Sequence, residues 1–99
     1  MTAPGPLKVS AKSNPNAVAG ALAAALRERE SAELQAVGAG AINQAVKAVA
    51  IARSYLRAAE LDLACTPSFI TVEIADNERT GISLVVTRVT LSLSKGDES

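Results

Sequence analysis

The residues of this chain best equipped to hold another molecule are a Gly38-Ala39-Gly40 turn heading an alanine-rich segment and three separated cations, Lys12, Lys47 and Arg79. Glycine lets the backbone adopt positive φ and admits close approach, and the first amides of a helix lack intrahelical partners and carry partial positive charge. Such a turn suits an anion, and the cations suit phosphates. Asn43, Gln44 and Lys47 follow the turn, while Ser13 and Asn14 stand beside Lys12 ahead of another helical segment. Each feature also has an ordinary use. The glycines fit a tight strand-to-helix connection packed against the first helix, Ser13-Asn14 fits a helix cap, Lys47 and Asn43 fit a solvated helix face, and Arg79 fits a solubility position on a hairpin. Only their convergence raises them above background.

Other chemistries lack their residues. There is no histidine, so no zinc set and no histidine base is available, and the single Cys65 excludes an internal disulfide. Cys65 lies on an alternating apolar pattern ahead of Pro67, which predicts a buried structural thiol. Glu73, Asp76 and Glu78 surround a strand end and turn, where solvation keeps carboxylates ordinary. The Gly-Ala-Gly spacing lacks the third glycine of a dinucleotide fingerprint, and no P-loop lysine follows. The chain therefore reads as neither an enzyme nor a cofactor, metal or small-molecule protein.

Ten Lys plus Arg against ten Asp plus Glu leave no net charge, which removes the strong field of a dedicated polyanion binder. Any nucleic-acid contact has to come from a local patch. At 99 residues there is room for one core, and with one Phe, one Tyr and no Trp it has to be aliphatic. No apolar run is long enough for a signal peptide or a membrane span, and the lone cysteine suits a reducing compartment, so a soluble cytoplasmic protein is expected. Residues 1–6 read as a flexible leader, 7–93 as one domain, and 94–99 as a flexible tail.

The elements that must position these residues follow from periodicity. Alternation predicts a strand over Leu7 to Ala11, and Ser13-Asn14-Pro15-Asn16 announces a helix reaching about Arg29, with Val18, Leu22, Ala25 and Leu26 inward. A second strand over Glu33 to Val37 completes a right-handed βαβ unit. The second helix puts Ile42, Ala45, Val49, Ala52 and Leu56 inward, and Asn43, Lys47, Ser54 and Arg57 outward. Ile70, Val72 and Ile74, then Ile82, Leu84 and Val86, alternate as a hairpin with its tip at Asp76 to Arg79. Leu61, Leu63 and Cys65 have the opposite parity, which predicts a bulge or break at Pro67-Ser68. The order β-α-β-α-β-β implies an α+β, two-layer α/β sandwich, a four-stranded mixed sheet with two helices on one face. The other face or edge calls for self-association.

The segments LKVSAKSNPNAVAGALAAALRER and AVGAGAINQAVKAVAIAR, with ERT at Glu78-Arg79-Thr80, resemble the bacterial stage V sporulation protein S family over about Leu7 to Val89. The resemblance implies a non-enzymatic cytoplasmic protein connected with sporulation and developmental regulation. It also implies a fold like that of the Alba proteins, which bind DNA and RNA as dimers. By position, it assigns nucleic-acid contact to Lys12-Ser13-Asn14, to Gly38-Ala39-Gly40 with Asn43, Gln44 and Lys47, and to Glu78-Arg79-Thr80. The sequence departs from the family pattern at Glu30, where glycine is usual, and at Arg57-Ala58-Ala59-Glu60, which replaces a longer Pro-Gly loop and predicts a longer second helix. Two readings stand: a homodimer that binds DNA or RNA weakly through basic loops, and a protein-interaction module on the same scaffold.

Overall fold

The structure, a computed structural model, describes residues 5–90. Its elements are β1 (Leu7–Val9), α1 (Pro15–Glu28), β2 (Ser31–Ala36), α2 (Ala39–Arg57), β3 (Leu61–Ile74) and β4 (Asn77–Thr90). They build one four-stranded mixed sheet in the order β1-β2-β4-β3, in which β1 runs parallel to β2 and the other pairs are antiparallel. This is the expected β-α-β-α-β-β architecture. Most of the expected leader and all of the expected tail, with Leu91 to Leu93, lie outside the described residues.

Register assigns the faces. Leu34 opposes Leu84 and Ala36 opposes Ile82, so even-numbered positions of β2 and β4 share one face with Leu7 and Val9. Leu34, Leu84, Val86 and Val9 are buried there against Ala19, Leu22, Ala23 and Leu26 of α1 and Ala41, Ala45, Ala48, Ala52 and Leu56 of α2. Both helices therefore cover a single face. Alanine at the helix contact lets the two backbones approach closely, as a core with few aromatics requires.

Local chemistry fixes the ends. Asn14 caps α1, its side-chain oxygen accepting from the amides of Asn16 at 2.8 Å and Ala17 at 3.3 Å, and Pro15 starts the helix. At the other end Arg88 of β4 donates to the carbonyls of Leu26 at 3.0 Å and Arg27 at 3.4 Å, closing α1 with a cation where its dipole is negative. The expected lengthening of α2 does not occur. The helix stops at Arg57, and Glu60 leaves the turn at φ 62°, a left-handed conformation that glycine adopts more easily.

Several boundaries differ from expectation. β1 ends at Val9 because Ser10 to Ser13 bond among themselves: the Ser13 hydroxyl accepts from the Ser10 amide at 2.9 Å, and the Ser13 amide donates to the Ser10 carbonyl at 3.0 Å. β2 starts two residues earlier, at Ser31, since β4 offers it partners there from Thr87 onward. The hairpin contains no bulge or break. β3 pairs with β4 without interruption from Leu61 opposite Thr90 to Ile74 opposite Asn77. Pro67 fits because β3 is an edge strand, where no second neighbour needs its missing amide hydrogen. The parity change is real but arises otherwise: Leu61, Leu63 and Cys65 share the helix-facing side with Val86, whereas Ile70, Val72 and Ile74 face the side bearing Gly81 and Arg79. The tip is Ala75-Asp76, both at positive φ, so Arg79 belongs to β4 and not to the turn.

Cys65 is likewise not buried. It is exposed, because the helix layer ends before it and leaves the middle of β3 uncovered, although partial burial still raises its thiol pKa.

Candidate functional site

Two of the loops singled out by sequence meet at one end of the sheet. The Gln44 side-chain amide donates to the Ser13 carbonyl at 2.8 Å, tying the start of α2 to the β1–α1 loop. A Cβ on Gly40 would lie 3.0 Å from that of Ala11, so this glycine marks a close approach to the β1–α1 loop and not to α1. Gly38 is the N-cap of α2 at φ 94°, with no side-chain cap bond, so it supplies the turn and leaves the helix end open.

The hairpin borders the same end. Val72, Glu73 and Ile74 of β3 join Ser10, Ala11 and Val37 in lining a cleft of about 310 Å³, with Lys8 and Gln35 on its margin. Arg79 stands opposite Val72 in register and so belongs to this part of the hairpin. The hairpin reaches there because Gly81 is crossed at close range. A Cβ on Gly81 would fall 2.8 Å from the Ala36 carbonyl oxygen and 2.9 Å from Val37 Cγ2.

The nine residues assigned to the site divide into three groups. Lys12, Asn43, Lys47 and Arg79 are exposed and, among the described residues, hold no side-chain hydrogen bond. Ser13, Asn14 and Gln44 commit polar atoms inside the protein, to Ser10, to the α1 amides and to the Ser13 carbonyl. Gly38 and Gly40 serve the backbone. Around Arg79 the field is mixed: Glu73 and Glu78 stand directly opposite each other across the hairpin, with Asp76 at its tip. These acids reduce the attraction of that corner for phosphate.

On the sheet face away from the helices, Glu33 accepts from the Ser83 hydroxyl at 2.6 Å and the Gln35 amide at 3.1 Å. The Ser83 bond, then the Gln35 bond, hold its carboxyl below the ordinary value. A carboxylate so stabilised is a poor base. No group of three or more His, Cys, Asp or Glu is placed to hold a metal among the described residues. None of the described helices is long and apolar enough to cross a membrane. Sequence reasoning missed Arg88, although its even position continues the inward-facing series Ile82, Leu84 and Val86 and places a cation against the helix layer.

The profile of the stage V sporulation protein S (SpoVS) family matches residues 5–89, which takes in every candidate site residue and all six elements except Thr90 at the end of β4. The chain belongs to the stage V sporulation protein S family.

Proposed function

We propose that this protein is a non-enzymatic, cytoplasmic regulator associated with sporulation or development, and that it binds DNA or RNA weakly as a homodimer. Family membership supports the sporulation-related role. The observation that carries nucleic-acid contact is the convergence of the loops: the Gln44–Ser13 bond joins two, and the cleft beside Ser10 and Ala11 brings in the hairpin. Lys12, Lys47 and Arg79 then offer charge to phosphates, with the open head of α2 beside them. Two copies supply about six cations, a modest footprint that the hairpin acids reduce further.

An exposed apolar surface supports the meeting of two copies. Phe69 is 80% exposed, and it shares the helix-facing side of β3 with the exposed Cys65 and Pro67, while Val46 of α2 is also exposed. Association there covers apolar area without extending the sheet.

Replacing Lys12, Lys47 and Arg79 together by Ala should abolish binding of labelled duplex DNA or RNA in low-salt anisotropy, with helix content and melting temperature nearly unchanged. Parental binding should weaken with salt on a log-log slope of about −5 for about six contacts. Binding by the triple variant equal to that of the parent would show that the cations are misassigned. Zero net charge and the exposed Phe69 favour the second reading, a protein-interaction module. That reading wins if the parent binds neither nucleic acid at low salt.

A further inference from the structure

The cleft of about 310 Å³ opens beside Lys8 and Gln35, register partners on the sheet face away from the helices. All three loops of the candidate site border it. Lys12 follows Ala11 of its wall directly in the chain, Gly38 follows Val37, and Arg79 stands opposite Val72 across the hairpin. Ala11, Val37, Val72 and Ile74 make most of the lining aliphatic. The Ser10 hydroxyl at its rim already accepts from the Lys12 amide at 3.1 Å, which leaves Lys8, Gln35 and Glu73 to meet a ligand. Lys8 and Glu73 do not neutralise each other, since the one salt bridge among the described residues joins Arg53 to Asp62.

Gln35 is held in one orientation. Glu33 accepts from the Ser83 hydroxyl at 2.6 Å and from Gln35 Nε2 at 3.1 Å. An ionised carboxylate can only accept, so the Gln35 amide has to give it the NH2 end and keeps Oε1 for whatever enters the cleft. The cleft therefore offers two acceptors, Gln35 Oε1 and the Glu73 carboxylate, with the Lys8 ammonium as donor.

We propose that this cleft takes one unpaired nucleobase bearing an exocyclic amine, as cytosine and adenine do, from a strand whose phosphates rest on the neighbouring cations. The inference rests on the nucleic-acid reading above and names the form of nucleic acid that the site selects. The amine donates to Gln35 Oε1 and Glu73, whereas thymine and uracil turn a carbonyl oxygen toward the same acceptors and are repelled. At about 310 Å³ the cleft stands at the lower end of the range for small-ligand sites, about 300–1,000 Å³, which suits one nucleoside. A base inside a duplex enters only by leaving its stack, so bulges, loops and single strands are favoured over paired helix. Glu73, which weakens the pull on phosphate at this corner, gains a use in reading the base.

The test is low-salt anisotropy of the full chain with three labelled DNA duplexes, identical but for one central bulged cytosine, one bulged thymine, or no bulge. The cytosine bulge should bind about tenfold tighter than the other two. Gln35→Leu should remove that preference. Glu33→Gln should remove it as well, because an amide at position 33 can donate or accept and lets Gln35 turn over. Each preference is a ratio within one protein, so a partly unfolded variant lowers all three affinities together and leaves the ratio readable. Alanine at Lys12, Lys47 and Arg79 together should instead abolish binding of all three duplexes. Equal binding of the cytosine and thymine bulges by the parent, or a preference that survives in Gln35→Leu, would overturn the proposal while leaving the phosphate contacts in place. Failure of the parent to bind any of the three would remove the nucleic-acid reading and this proposal with it.

Discussion

Among the described residues, three hold left-handed backbone without being glycine: Glu60, Ala75 and Asp76. In this conformation Cβ crowds the following carbonyl, at about 1 kcal/mol or slightly more. Glu60→Gly should therefore raise stability by up to about 1 kcal/mol, measured by urea unfolding, because glycine adopts without strain the left-handed conformation that ends the turn after α2. Asp76→Gly should do likewise, since the two-residue turn it shares with Ala75 favours glycine at that place. Ser83→Ala removes a hydroxyl bonded to Glu33 and should cost about 1 kcal/mol. The same bond has a pH signature. Because folding lowers the Glu33 pKa from 4.5, its contribution is present above that value and fades as pH falls through the lower folded pKa. Denaturation of Ser83→Ala below pH 4.5 should show a shallower loss than the parent. Asp62, which the Arg53 guanidinium holds below the usual carboxylate range, adds to the acid loss in both proteins.

At the scale of elements, Gly81→Ala is the informative substitution, since the new methyl meets the Ala36 carbonyl, part of a strand that cannot swing aside. It should lower the melting temperature and expose the amides of the outer hairpin to exchange while those of α1 stay protected. Leu22→Ala, in the fully buried contact between α1 and the sheet, should cost about 2–5 kcal/mol in urea unfolding, because an alanine-rich neighbourhood has little bulk to collapse into the void. The two helices and the order of elements were legible in the sequence because a 3.6-residue apolar period and an Asn-Pro start are local signals. The outer hairpin was not. Its parity change suggested a bulge, but the cause is tertiary: one straight strand shows leucines to the helices near Leu61 and isoleucines to the opposite face near Ile70. The assumption that apolar alternation means burial failed at Cys65 for the same reason, since only the layer above decides what is covered. Of the candidate site, the role of Asn14 as a cap was readable, whereas the Gln44–Ser13 bond spans 31 positions and has no local signature.

At the scale of the molecule, the outline measures 51 × 35 × 22 Å. If two copies join through the helix-facing side of β3, Phe69→Glu should convert the dimer to monomers by light scattering while leaving the circular dichroism spectrum intact. Pro67 adds a constraint of another kind. It sits midway along the outermost strand of the sheet, where a stray chain seeking to template itself on β3 would meet a ring and no hydrogen to share. Pairing of a second chain along β3 is thereby interrupted at that position, so Pro67→Val should quicken thioflavin-positive aggregation of the concentrated protein.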